Sequence, residues 1–417
     1  QLVDVDAGDG EALQICCGAF NMAVGDLVPL ASLGTVMPDG MEIAARKMRG
    51  QMSNGMLCSA RELQLGDDHE GILILPADLE PGTPLRESLG LAEDVVFDFD
   101  ALPNRPDTLS VLGVARDLAA LQRVPFEVPE PAVDAVGTPA HELASVEILA
   151  PELCGRFLVR VLSGIELAPS PRWMAQRLLA AGMRPINNVV DVSNYVMLET
   201  GQPNHTYDLA GLPGGALRVR WARDGERLVT LDGVERGLLA SDGVIADGDD
   251  RPVGLAGVMG GESTEIGEGT TEVQLELAWW DPATVAATAA RLNLHSEASL
   301  RFKRGVDPQI APHAARRFAE LLGGMAASSL HPGEVEARGK LPSPEVVRVR
   351  TERVNGLLGT ELGRDEIAGL LAPIGYEATP VDGDLDVAVP TWRPDSSIEA
   401  DVIEEVARHH GYDRLPR

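Results

Sequence analysis

Residues 184–208, R-P-I-N-N-V-V-D-V-S-N-Y-V-M-L-E-T-G-Q-P-N-H-T-Y-D, constrain this chain more than any other stretch. Asn187, Asn188, Asp191, Asn194, Glu199, Gln202, Asn204, His205 and Asp208 alternate there with Ile186, Val189, Val190, Val192, Tyr195, Val196, Met197 and Leu198. A run this apolar is expected to be buried, and buried amides, carboxylates and imidazole need hydrogen-bond partners. The segment is therefore either a polar lattice bracing a core or the wall of a pocket. Gly201, Gln202 and Pro203 break the run and predict His205 on a turn, where its ring can face a cavity. For one such segment alone, the lattice is the commoner case.

The chain has 417 residues, enough for about three domains. Aromatics make up only 4%, while 44 glycines and 29 prolines predict frequent turns and short strands. A net charge of −29 repels nucleic acid in bulk, so any RNA contact has to use local basic patches or a partner subunit. Cys16, Cys17, Cys58 and Cys154 have no metal-type spacing and form no disulfide framework. With no apolar run of about 18 residues and no signal peptide, we expect a cytoplasmic chain with no membrane partner. The sequence opens on a strand pattern without an initiator Met, so we expect part of a longer protein.

Residues 1–76 read as short strands at 12–17, 27–30, 41–46, 55–57 and 71–75, with Gly34, Pro38, Gly40, Gly50 and 66–68 as turn signals. Many short strands in so short a span predict a small barrel. Its one basic cluster, Arg46, Lys47, Arg49 and Arg61, is either a solvated strand face or a phosphate track. Val111, Val114, Leu118 and Leu121 predict a helix, and the proline-rich 124–142 predicts a linker. Residues 143–330 form one α+β unit, with strands expected at 157–162, 217–222, 226–231, 243–247 and 274–277. Its helices are expected at 170–181, 283–292 and 311–322, and a Pro/Gly-rich break at 332–344 ends it. Residues 345–417 form a small αβ domain, with strands at 346–349 and 385–389 and helices at 364–371 and 397–410.

Several motifs carry a family resemblance. C-C-G-A-F-N (16–21), K-M-R-G (47–50) and S-N-G-M-L-C-S-A-R-E-L (53–63) resemble the tRNA-binding OB-fold of the bacterial phenylalanyl-tRNA synthetase beta subunit. P-N-R-P-D-T-L-S-V-L-G-V-A-R-D (103–117) resembles the segment leading into that subunit's central domain. L-A-G-V-M-G-G (255–261), L-E-L-A-W-W-D-P (275–282) and H-S-E-A-S-L-R-F-K-R-G-V-D-P (295–308), with 184–208, resemble its B3/B4 editing domain. The resemblance implies a multidomain α+β chain: an OB-fold β-barrel (1–90), a connecting segment (91–142), a B3/B4 domain (143–330) and a winged-helix-like B5 domain (345–417). It implies a cytoplasmic enzyme charging tRNA(Phe) with phenylalanine at the expense of ATP, as an α2β2 heterotetramer. The synthetic site lies on the alpha subunit, and no Gly-rich nucleotide loop here opposes that. The family's start, its catalytic-like module and its anticodon-binding domain are expected to lie outside this sequence.

In that family the B3/B4 domain hydrolyses tyrosine wrongly esterified to tRNA(Phe), and the chemistry can be argued from residues. Tyrosine differs from phenylalanine by one hydroxyl, so a second site that hydrogen-bonds that hydroxyl removes the error. Glu276, between Leu275 and Leu277, is the candidate reader of the phenol; the competing reading is a salt bridge to Arg184 or Arg301. His205 and Asn194 are candidates to position the water and orient the ester, and Ala256 and Gly257 to bring backbone N–H groups close. By resemblance, Ser296 and Ala298 line the pocket, with Ser296 standing where the family often has Thr, and Arg184 meets the tRNA 3′ end. No nucleophile elbow or reactive-cysteine pattern supports covalent catalysis.

Asp401, Glu404 and Glu405 recur at helical spacing, with Asp395 ahead of them. Such carboxylates suit a hard cation, or else form an acidic helix start with a solvated face. The resemblance implies a Mg2+ at these four positions, shared with the alpha subunit. Two other function classes stand beside editing. One is a non-catalytic RNA-binding or scaffold protein with an inert pocket. The other is a metal hydrolase built on the acidic cluster, which lacks His and lies far in sequence from the pocket. His205, Asn194 and Glu276 lining one cavity would favour editing; their dispersal would favour a scaffold.

Overall fold

The computed structural model describes every residue except 9, 66–68, 70, 78, 91–94, 326–327, 344 and 417, so the turn signal at 66–68 lies outside the described residues. The chain divides into two compact units, Gln1–Asp98 and Phe99–Arg417. No helix among the described residues is long and apolar enough to cross a membrane.

In the first unit the described strands form three two-stranded antiparallel ladders. Leu2–Asp6 pairs with Ala12–Cys16, Leu30–Ala31 with Met56–Leu57, and Arg46–Met48 with Gln51–Ser53. An isolated bridge joins Leu27 to Leu75. Ile15, Leu57 and Ile72 form one small core, and Ala31, Met37, Ile43 and Cys58 another. The third ladder turns through Arg49 (φ 49°) and Gly50 (φ 91°), two left-handed residues that match a two-residue hairpin. Arg46, Lys47 and Met48 are all exposed.

The second unit holds two five-stranded sheets against a helical layer. One sheet runs in the order Met259–Gly260, Pro252–Leu255, Gly243–Ala246, Ala216–Trp221, Ser145–Ile148. In the other, Cys154–Ser163 lies between Glu272–Trp280 and two short strands, Ser329–Leu330 and Val335–Arg338; Asn204–Asp208 pairs with Glu272–Trp280 at its free edge. Side chains on Glu272–Trp280 alternate between two cores. Val273, Leu275 and Leu277 face a core shared with Val189, Val192 and Val196 of the helix Asn188–Thr200 and with Phe318 of the helix Ala311–Gly323. Ala278 and Trp280 face the core between the sheets.

Asn188–Thr200 contains four valines yet is helical, because Val189, Val192 and Val196 are buried and its ends are well capped. The Asn187 side chain accepts from the N–H groups of Val189 and Val190, and Gly201 closes the helix at φ 80°. Three expectations are corrected here. His205 sits on the strand Asn204–Asp208 rather than on a turn, because Gln202 ties the break to the neighbouring strand through Nε2 to Ala278 O at 3.0 Å. The stretch 332–344 is not only a break, since Val335–Arg338 adds a strand to the sheet. In the last domain a helix at Thr351–Leu358 and an edge strand at Glu377–Val381 join the predicted elements. Gly356 masks that helix's pattern, and Pro380 weakens the strand signal but is tolerated at an edge.

Candidate functional site

A cavity of about 310 Å³ opens in the second unit beside the strands Asn204–Asp208 and Glu272–Trp280. It gathers residues from every predicted editing motif: Asn194, His205, Glu276, Gly257, Ser296 and Ala298 all line it. His205 and Glu276 are direct cross-strand partners, which puts both side chains on the same face of the sheet. Asn194 reaches the cavity from its helix. That helix is tied to the strand by Ser193 Oγ donating to Asn204 O at 3.1 Å and Asn204 Nδ2 donating to Ser193 O at 3.1 Å.

Burial sets the electrostatics. His205 Nε2 is shielded from solvent and has no partner among the described residues, and burial pushes the ring's pKa down to about 4, so the imidazole is neutral at pH 7. Its ring meets that of Tyr207 edge-on, with centroids 4.6 Å apart. Glu276 is 6% exposed, and burial pushes its carboxyl up to about 7. Opposing that shift, the fully buried Tyr207 donates from Oη to Glu276 Oε2 at 2.5 Å. The alternative salt bridge is not formed: Arg301 pairs with Glu297 and donates to Leu109 O.

The glycines are steric necessities. Gly257 sits at φ +67°, and a Cβ there would lie 2.9 Å from Trp280 and Val285. A Cβ on Gly260 would lie 2.5 Å from His205 Cε1. Ser296 is less a free hydroxyl than an anchor: it donates to Val258 O at 2.9 Å and accepts from Ser299 N at 3.0 Å. This caps the helix Glu297–Arg304 at the cavity rim. Two expected pocket residues are not on the lining. Ala256 is packed into the core between the sheets, and Arg184 is exposed outside the cavity. Sequence reasoning missed Tyr207, Gly260 and Trp280; a strand assignment for 204–208 would have put Tyr207 on the His205 face by its period of two.

The four acidic residues of the last domain do not converge. Glu405 is 1% exposed and held by Arg393 at 2.9 Å and Arg408 at 2.8 Å, while Arg393 also holds Asp395 at 2.7 Å. Asp401 Oδ2 accepts from Ser397 N and Ile398 N, and Glu404 points outward near Asn104. Among the described residues, ligand atoms come within 4.8 Å of one another in the group Asp117, Glu405 and His409, and Arg408 bridges its two carboxylates. As arranged, these side chains form a charge-balanced network, and a divalent cation there would need carboxylate oxygens freed to face it. The step of about 100° between consecutive helical residues turns Glu405 inward and leaves Glu404 outward.

In the first unit, Arg46, Lys47 and Arg49 project from the hairpin, and exposed Arg61 borders a groove lined also by Cys16, Met48 and Met56.

Family models match three consecutive parts of the chain: a putative tRNA binding domain at residues 1–84, a B3/4 domain at 153–327 and a tRNA synthetase B5 domain at 347–412. The chain is 47% identical over 414 residues to the phenylalanine–tRNA ligase beta subunit of Anaeromyxobacter dehalogenans, covering 99% of this chain and 51% of that protein. It is 46% identical to those named likewise from Geobacter sulfurreducens (97% of this chain, 50% of the relative) and Nitratidesulfovibrio vulgaris (99% and 51%). The chain thus spans about half the length of the curated relatives it matches. Three domain models in one order, with this identity along nearly the whole sequence, establish that the chain belongs to the phenylalanine–tRNA ligase beta subunit family.

Proposed function

We propose that the cavity hydrolyses tyrosine mistakenly esterified to tRNA(Phe), within an enzyme that charges tRNA(Phe) with phenylalanine using ATP. The observation that carries this reading is that His205, Asn194 and Glu276 line one cavity. In this reading Glu276 accepts a hydrogen bond from the substrate's phenolic hydroxyl. Water adds to the ester carbonyl, the acyl–oxygen bond breaks, and tyrosine leaves with the tRNA 3′-hydroxyl restored. A ring with a pKa near 4 is a weak base at neutral pH, so His205 acts by positioning the water, with Asn194 orienting the ester. Ser296 and Ala298 shape the rim, and exposed Arg184 is free to meet the tRNA. Arg46, Lys47, Arg49 and Arg61 contact tRNA phosphates from the first unit.

On the same reading, the whole enzyme works with an alpha-subunit partner in the cytoplasm and uses Mg2+. Mg2+ on Asp395, Asp401, Glu404 and Glu405 would first require Arg393 to release two of them. Single-turnover deacylation of Tyr-tRNA(Phe) by this chain tests the editing reading. An inert chain that still binds tRNA would turn it into a scaffold.

A further inference from the structure

Glu276 meets the cavity with one oxygen already engaged. Tyr207 and Glu276 project from the same face of neighbouring strands, and Tyr207 Oη donates to Oε2 at 2.5 Å. Tyr207 is fully buried behind the carboxylate, whereas Glu276 lines the cavity and its Oε1 has no hydrogen-bond partner among the described residues. An isolated buried carboxyl would favour its neutral form, in which one oxygen is a donor and only weak acceptors remain. A phenol locked against one oxygen favours the ionised form and fixes which oxygen faces the ligand.

We propose that Tyr207 is a positioning residue that keeps Glu276 an ionised acceptor with Oε1 aimed at the ligand, and so makes the site selective for a hydroxyl-bearing ring. The assignment of that ring to tyrosine rests on the editing reading; the coupling of Tyr207 to Glu276 does not.

The remaining groups around Glu276 leave Tyr207 as the main control. His205, from the same strand as Tyr207, is neutral at pH 7. Cys154, from the strand on the other side, is buried with its thiol pushed up, so it too is uncharged. Glu297, at the rim, is paired with Arg301. Tyr207 itself is held well above its ordinary pKa by burial and by the carboxylate, so its proton stays in place to be donated.

The test is Tyr207→Phe in this chain, read in two ways. Carbon-13 labelling of glutamate, with the Glu276 signal identified by its loss in Glu276→Gln, follows the carboxyl directly. The parent should titrate near 7, and Tyr207→Phe should titrate higher, by about one pH unit for one lost charge-assisted hydrogen bond. Deacylation of Tyr-tRNA against Phe-tRNA follows selectivity. Tyr207→Phe should lower the rate ratio about fivefold at pH 7 and recover much of it at pH 8.5, where the carboxyl ionises again. A residue that only fills space would not produce that recovery.

Should Tyr207→Phe fold poorly by thermal melt, uniform 3-fluorotyrosine labelling of the parent replaces it. The more acidic phenol donates more strongly and should move the Glu276 titration down. An unchanged titration in both samples, or a selectivity loss of the same size at every pH, overturns the proposal. If the parent deacylates neither ester, the editing reading and the ligand assignment fall, while the titration still decides the coupling.

Discussion

His205 and Glu276 stand directly opposite each other on antiparallel strands, and one burial environment acts on them in opposite senses. The imidazole is pushed down to about 4 and the carboxyl up to about 7, so at neutral pH the ring carries no charge and the carboxyl is poised at its midpoint. A cavity wall with that character can accept a hydrogen bond from a ligand without opposing it with a fixed cation.

The pair sets a pH dependence of stability that single changes should reveal. Glu276 is neutral in both folded and unfolded chains below its ordinary 4.5, and its burial becomes costly as pH rises towards 7, by roughly 3 kcal/mol. His205 costs nothing above its ordinary 6.5 and becomes costly as pH falls towards 4, by a similar roughly 3 kcal/mol. Between these limits the two slopes oppose each other. Relative to the parent, Glu276→Gln should lose stability more steeply on acidification, and His205→Gln more steeply as pH rises from 4.5 to 7. Urea unfolding at intervals from pH 4.5 to 7.5 measures both differences; parallel curves for all three chains would show that neither group is shifted.

Gly260 and Gly257 should respond differently to alanine. At Gly260 the added methyl meets the His205 ring, so we expect deacylation to fall at least tenfold with a small change in melting temperature. At Gly257 the methyl meets Trp280 and Val285 from a left-handed backbone, so stability itself should fall, by about 2 kcal/mol or more. Thermal melts with activity assays separate the two; equal effects on stability would contradict this division.

In the last domain, Glu405 and Glu404 are neighbours with opposite fates. Glu405→Gln takes one of two carboxylates from each of Arg393 and Arg408, which keep Asp395 and Asp117, and should cost about 1–3 kcal/mol. Glu404→Gln is an exposed change, expected within about 0.5 kcal/mol. Calorimetry should find only weak Mg2+ binding by this chain, because Arg393 already neutralises Asp395 and Glu405. Tight binding that Asp401→Ala abolishes would show that the network opens to admit a cation.

The first unit carries few cations against a net charge of −29. Three or four phosphate contacts give a slope on the order of −3 in log K against log salt, and each of Arg46→Ala, Lys47→Ala and Arg49→Ala should reduce it by about one. Fluorescence titrations of tRNA at several salt concentrations check this. A slope unchanged by all three variants would move the tRNA contact elsewhere.

Much of this molecule was legible from periodicity. The strand pattern marked 274–277 and 243–247, where Glu272–Trp280 and Gly243–Ala246 lie, and helical spacing of Val111, Val114, Leu118 and Leu121 marked Val111–Gln122. Asn188–Thr200 was not assigned, because β-branched residues disfavour a helix until tertiary burial outweighs propensity. The site residues found from the sequence were those whose polar character clashed with apolar neighbours, as at Glu276. Tyr207 was missed because a tyrosine in an apolar strand is unremarkable until its hydroxyl partner is located 69 residues away. The acidic run was legible only as a spacing. Spacing alone does not reveal that Arg393 folds back between Asp395 and Glu405.

The measurement that bears most directly on the central claim is single-turnover deacylation of Tyr-tRNA(Phe) and of a second, non-tyrosyl aminoacyl-tRNA by the parent, Glu276→Ala and His205→Ala, with folding checked by thermal melt. The parent is expected to release tyrosine. Glu276→Ala should lose tyrosine hydrolysis about ten- to a hundredfold, as one buried charge-assisted hydrogen bond allows, with little change on the second ester. His205→Ala should slow both esters, because it misplaces the water that each needs. A well-folded Glu276→Ala that releases tyrosine at the parent rate would contradict the account and leave Glu276 as a structural partner of Tyr207 alone.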